Sequence, residues 1–172
     1  MALPPLYFSY KGPKRILAVQ NNIAGCYRKL GRHQESLKVQ REIYARTVNL
    51  LGAQHEETLT AGRNLGIVCA QLGQYEESKS IFRAMIPLAK GVELLQINYH
   101  YGLALIACPS VPVDDVREAV ATLTTTEAAL RRVLGANHPE AQGCQRTLDF
   151  AKRMLAARLA ARVHTPKSPE TA

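Results

Sequence analysis

Asn22-Ile23-Ala24-Gly25-Cys26-Tyr27-Arg28-Lys29-Leu30-Gly31-Arg32-His33-Gln34-Glu35-Ser36 is answered by Asn64-Leu65-Gly66-Ile67-Val68-Cys69-Ala70-Gln71-Leu72-Gly73-Gln74-Tyr75-Glu76-Glu77-Ser78, 42 residues further on. A second pair, Leu51-Gly52-Ala53-Gln54-His55-Glu56-Glu57 and Leu134-Gly135-Ala136-Asn137-His138-Pro139-Glu140, recurs at an offset of 83, one residue short of two periods. Self-similarity at a fixed spacing marks a stack of supersecondary units. Within the first unit, Ile16, Ile23, Tyr27 and Leu30 form an apolar stripe at helical spacing. Leu30-Gly31 then supplies a stop signal. Leu37, Ile43, Tyr44, Val48 and Leu51 continue the stripe in a second helix. Two helices joined by so few residues run antiparallel, and neither such hairpin can bury both faces alone, so the units must stack. Ala24 and Gly66, equivalent and small, predict close approach within each hairpin.

The third unit is altered. Leu103 to Cys108 echoes Leu65 to Ala70, but Pro109-Ser110-Val111-Pro112 replaces the Leu-Gly turn and stops the helix there. Val116-Arg117-Glu118-Ala119 then parallels Tyr75 to Ser78. Pro87 interrupts the second unit's second helix, and Lys90-Gly91-Val92 runs almost directly into the next one. The predicted domain has units at 15–52, 56–90 and 91–134 and a closing helix at 138–163. It is flanked by a Pro-containing leader, 1–14, and a disordered tail, 164–172, with Pro166 and Pro169.

The composition agrees: 47% hydrophobic and 21% charged residues suffice for one core in 172 residues, and β-branched residues do not gather into alternating runs. Twenty-two Lys and Arg against fourteen Asp and Glu leave a formal charge of +8, which favours acidic partners without choosing among peptide, nucleic acid and an anionic surface. Cys26, Cys69, Cys108 and Cys144 are widely separated and are expected as buried free thiols. No stretch is apolar enough to span a membrane and no secretory leader is evident, so a cytoplasmic location is the default expectation.

These residues resemble the tetratricopeptide repeat, in the 42-residue variety of kinesin light chains. Its pattern, L-G-x-x-H-P-x followed by N-N-L-A-x-x-Y-x-x-x-G-R-Y-E-E-A, is carried by Gln20 to Ala24 with Tyr27, Gly31 and Arg32. Arg63 to Gly66 with Gly73 to Glu77 carry it again, and Gly135, His138 and Pro139 do so near the end. The resemblance implies an all-α, right-handed solenoid of about three antiparallel hairpins plus a C-terminal closing helix. It also implies a scaffold or adaptor role, with a protein or peptide partner held on the concave face.

In that family the first Asn of the N-N-L-A pattern commonly bonds the backbone of an extended peptide. The matching positions are Asn21, Arg63, Tyr101 and Arg146, with Arg28, Lys29, Gln71 and Arg153 one or two turns further along the same faces. Arginine offers a planar fork of donors suited to carboxylates, so the resemblance implies a basic strip for an acidic, extended segment. The competing explanation is that these side chains are merely solvated. Asn22 and Asn64 are expected to hydrogen-bond between helices.

The common phosphate-loop, dinucleotide, zinc-protease and nucleophile-elbow signatures are absent, and neither cofactor, metal site nor enzymatic activity is expected. His33, His55, His100 and His138 are explained by their repeat positions. Arg146, Lys152, Arg153, Arg158 and Arg162 accompany Leu148, Met154, Leu155 and Leu159 in a basic amphipathic helix. Such a helix can lie on nucleic acid or an anionic surface, which is the alternative function. More often its apolar stripe is buried on the preceding hairpin. With the first unit starting so near Met1, the chain is also compatible with being one piece of a longer array, and the face from Lys14 to Lys29 is then expected as a docking or self-association surface.

Overall fold

The computed structural model describes residues 11–163, which form seven α-helices and no strand. Helices α1 (Lys11–Lys29) and α2 (His33–Leu51), α3 (Glu56–Gln71) and α4 (Tyr75–Met85), and α5 (Gly91–Ile106) and α6 (Val113–Leu134) make three antiparallel hairpins, and α7 (Pro139–Val163) closes the stack on α6. Helix α1 includes the first described residue, Lys11, inside the expected leader. The rest of that leader and the tail at 164–172 lie outside the described residues.

The repeated residues do repeated work. Gly31 and Gly73 adopt φ of 72° and 76°, the left-handed conformation that ends α1 and α3. The amide N–H groups of Arg32 and Gln74 then reach back to the carbonyls of Tyr27 and Cys69, giving both turns the same closing bond. At the other end of the unit, His55 and His138 act as N-caps: each Nδ1 accepts from the main-chain N–H of Glu57 or Glu140. Their recurrence is thus a capping requirement.

Inside the second and third hairpins a glycine on the first helix sits under a larger residue on the second. A Cβ added to Gly66 would lie 2.7 Å from the Phe82 ring, and one added to Gly102 would lie 2.6 Å from Leu123. Ser36 and Ser78 donate across the same gap to the carbonyls of Ala24 and Gly66, at 2.9 and 2.8 Å. These serines supply the interhelical bonds that were expected of Asn22 and Asn64.

The third hairpin keeps the small-over-large contact while changing the turn. Pro109 to Pro112 form a longer loop whose Val111 is buried, and Arg158 of α7 donates to the carbonyls of Val111 and Pro109. In the second hairpin, α4 stops at Met85 and continues only as a short 3-10 turn through Pro87. The main core runs from α3 and α4 through α7 around Phe82, Met85, Ile97, Leu105, Leu123, Leu130 and Leu148. Ala141, Cys144, Leu148 and Ala151 are the buried face of α7; of the expected apolar stripe Leu148 is buried, Met154 and Leu155 are partly buried, and Leu159 is exposed.

The second helices α2, α4 and α6 scarcely touch one another. Long ion pairs span the gaps instead: Arg41 to Glu77 at 2.7 Å, Lys79 to Asp115 at 2.7 Å, and Arg83 to Glu118 at 3.2 Å.

Gly66→Ala is expected to destabilise the protein by about 1–3 kcal/mol in urea denaturation, because overpacking against Phe82 outweighs the better helix propensity of alanine. In a Phe82→Leu background the same substitution should become neutral or stabilising.

Candidate functional site

The first helices α1, α3 and α5, followed by α7, form one surface of the stack. Helix α3 packs on α5 and α5 on α7, whereas α1 and α3 stand apart. A cavity of about 590 Å³ opens between them, walled by Asn21, Asn22, Arg28 and Lys29 of α1 and by Thr60 and Asn64 of α3. Ala18, Ala24 and Gly25 are too small to fill it, so its floor includes Ser36 and Gln40 of the second helix. Among the described residues, no carboxylate pairs with Arg28 or Lys29.

Further along the surface, a cavity of about 460 Å³ is lined by Ile67, Gln71, Phe82, His100, Leu103, Arg146 and Phe150. It is mainly apolar, with Arg146 exposed and unpaired at its rim. A third cavity, about 690 Å³, lies at the edge where α3 and α5 begin and contains Arg63, Glu93, Glu56 and Gln96.

The expected site residues therefore divide. Asn21, Arg28 and Lys29 meet at the first cavity, and Gln71 and Arg146 meet at the second. Arg63 lines the third, and its Nε lies 3.6 Å from Glu93 Oε1, so its charge is partly spent within the chain. Burial holds the Glu93 carboxyl above the usual range, with Glu56 and Glu140 adding to the effect against the pull of Arg63. The strip is consequently basic at its two ends and mixed at this edge. Arg153 is exposed on α7, two turns beyond Arg146, and belongs to none of these three cavities.

Tyr101 does not face the groove. Only 3% of its surface is exposed, and its hydroxyl is held between Arg83 of α4 and Glu118 of α6. Burial, reinforced by Glu118, pushes the phenol up to about 12. The cause of the misplacement is register: Gly102, over Leu123, is the counterpart of Gly66, over Phe82, which makes Tyr99 and His100 the counterparts of Arg63 and Asn64. A slip of two residues turns a helical side chain by about 200°, from groove to core.

Asn21 and Asn22 both line the first cavity, but only the first of them is tied to another side chain. The Asn21 Oδ1 accepts from Gln40 Nε2 at 3.3 Å, while Asn22 and Asn64 face the cavity and make no side-chain hydrogen bond among the described residues. Groove residues that sequence reasoning passed over include Gln40, Asn64, His100 and Phe150. The exact recurrence of Asn64 with Asn22, and the spacing of Phe150 one turn from Arg146, were the signals available. No cluster of three or more His, Cys, Asp or Glu side chains among the described residues could hold a metal ion.

Residues 15–90 match the family model of the tetratricopeptide repeat. Over those residues the chain is built of tetratricopeptide repeats. Its fold is shared with crystal structures of nearly identical TPR-like repeats from a candidate kinesin light chain of Podosopora anserina, one of them carrying a point substitution. The TM-scores are 0.68 and 0.66 at 22% identity, over 90% of this chain and 73% or 74% of those chains. No curated protein matches the chain significantly. No helix among the described residues is long and apolar enough to cross a membrane.

One groove residue of this tetratricopeptide stack carries a pH signature. His100 stacks on Phe82 with ring centroids 6.4 Å apart, and burial, aided by Arg63 and Arg28, pushes its imidazole down to about 4. The unfolded chain takes up that proton near pH 6.5, so acid favours unfolding. Stability should fall between pH 6.5 and pH 4, by up to about 3 kcal/mol from this group. Urea denaturation of His100→Asn should show a flatter pH dependence over that window.

Proposed function

We propose that this tetratricopeptide stack is a protein-interaction module whose concave groove holds an extended, acidic segment of a partner protein. The observation that carries this reading is the company kept by Arg28, Lys29 and Arg146. All three lack a carboxylate partner among the described residues, yet each borders a cavity of the groove. Most other cations near acids are already paired, including Arg41, Lys79, Arg83, Arg117 and Arg131.

The chemistry of the two cavities differs. The first offers carboxamides and cations, suited to main-chain carbonyls and carboxylates. The second offers Ile67, Leu103, Phe82 and Phe150 beneath Arg146, suited to an apolar side chain beside an acid. A segment laid along both would place carboxylates over α1 and α3 and an apolar residue over α5 and α7. An adaptor role in the cytoplasm fits this reading.

Nucleic acid is the competing class of partner. The basic closing helix gives it little support, because α7 packs into the stack through Ala141, Cys144, Leu148 and Ala151 and Arg158 is engaged with the loop at Val111. Self-association through the α1 end is favoured by one observation: Ile16, Val19 and Ile23 remain exposed on that helix. Ile23 occupies the place of Leu65, which in the next hairpin packs against Leu37.

Fluorescence anisotropy with a labelled heptapeptide, one leucine flanked on each side by three glutamates, tests the groove. The triple reversal Arg28→Glu, Lys29→Glu, Arg146→Glu should weaken binding at least about tenfold, equivalent to 1.4 kcal/mol. Replacing the leucine by alanine should weaken it further. Unchanged affinity in the triple variant, or tighter binding of a random-sequence RNA than of the peptide, overturns the proposal.

A further inference from the structure

In two of the three hairpins the residue facing the small position of the first helix is hydrophobic: Phe82 over Gly66 and Leu123 over Gly102. In the first hairpin the counterparts of Gly66 and Phe82, 42 residues earlier, are Ala24 and Gln40. Gln40 is 2% exposed, and its Oε1 is buried with no hydrogen-bond partner. A buried unpaired acceptor is destabilising, so packing alone does not account for a glutamine here. Its one side-chain bond runs from Nε2 to Asn21 Oδ1, at 3.3 Å.

That bond fixes more than a distance. The oxygen and nitrogen of a carboxamide diverge from one carbon, so holding the oxygen of Asn21 toward the hairpin interior directs its NH₂ the other way. Asn21 is half-buried and lines both the large cavity between α1 and α3 and a smaller one beside Leu17, Thr47 and Glu56. Its NH₂ makes no bond among the described residues. An extended chain in the groove presents unpaired main-chain carbonyls, and an ordered NH₂ donor is what they require.

We propose that Gln40 is a positioning residue: it holds the Asn21 carboxamide so that the NH₂ is presented, already oriented, to a main-chain carbonyl of the bound segment. This rests on the groove reading above and deepens it. The gain is pre-organisation, since a side chain held in its bound rotamer loses less freedom on binding. Asn22 and Asn64, which line the same cavity without such a support, are free to adapt to the side chains of the segment.

The test compares wild type with Gln40→Leu, Gln40→Glu, Asn21→Ala and the Gln40→Leu, Asn21→Ala double variant, using the labelled glutamate–leucine heptapeptide. Gln40→Leu should raise the thermal midpoint, because it supplies the hydrophobic residue of the other hairpins. It should nonetheless weaken binding about fivefold, the scale of one net hydrogen bond. Asn21→Ala should lose a similar factor, and the double variant no more than Asn21→Ala alone. Gln40→Glu can only accept, so it should turn the Asn21 amide round and weaken binding while keeping a polar floor.

Nuclear magnetic resonance of the free protein gives a reading independent of the peptide. The Asn21 NH₂ should be rigid in wild type, remote from the Gln40 oxygen, and mobile in Gln40→Leu. Equal mobility in both, an NH₂ directed at Gln40, or additive losses in the double variant overturns the positioning role. Failure of wild type to bind the heptapeptide overturns the groove reading instead, and the mobility comparison still decides whether Gln40 holds Asn21.

Discussion

The close approach of the two helices in each hairpin governs the rest of this molecule. Gly66 and Gly102 leave room for Phe82 and Leu123 to lie almost against the opposing backbone, and the small Ala24 stands at the equivalent place in the first hairpin. At that separation Ser36 and Ser78 can donate to carbonyls of the partner helix. Side chains that would otherwise fill the gap are displaced to the outer faces, where they stack one hairpin on the next. The groove follows from the same constraint. Where α1 and α3 do not pack, small residues on α1 expose the second helix behind it, and the floor of the first cavity is built from α2.

Much of this was legible in the sequence because the constraint repeats. The Leu-Gly turns, the histidine caps and the small positions recur at one period, and each recurrence has a physical cause that tolerates few substitutes. The two good hairpins could be read on that basis. The third hairpin was harder. With the turn glycine replaced by Pro109 to Pro112, the apolar run Leu103 to Ala107 offers no fixed point. Aligning it two residues out moved Tyr101 from the core to the groove. Gly102 was the better anchor, since the steric demand of Leu123 leaves it little alternative.

The site was less legible than the fold. Position within a repeat predicts which face a side chain occupies, so Arg28, Lys29, Gln71 and Arg146 could be placed. It does not predict which charges are already satisfied. Arg63 shares its charge with Glu93, thirty residues away in sequence, and that neighbour belongs to the loopless junction at Gly91 where the repeat pattern is broken. Nor does it separate Asn21 from Asn22. Their roles depend on Gln40, a polar residue at a place where the other hairpins carry hydrophobic ones.

The ion pairs that join α2, α4 and α6 bear on how the hairpins are held together. On the side of the stack away from the cavities, neighbouring hairpins are linked by Arg41 to Glu77, Lys79 to Asp115 and Arg83 to Glu118, while apolar packing dominates elsewhere. Two kinds of force therefore join neighbouring hairpins, and they respond differently to electrolyte. Salt screens the exposed outer ties at Arg41 and Arg83 and leaves the apolar side intact. The hairpins are thereby tied unequally against salt, with Lys79, largely buried beside Asp115, as the outer tie least open to screening.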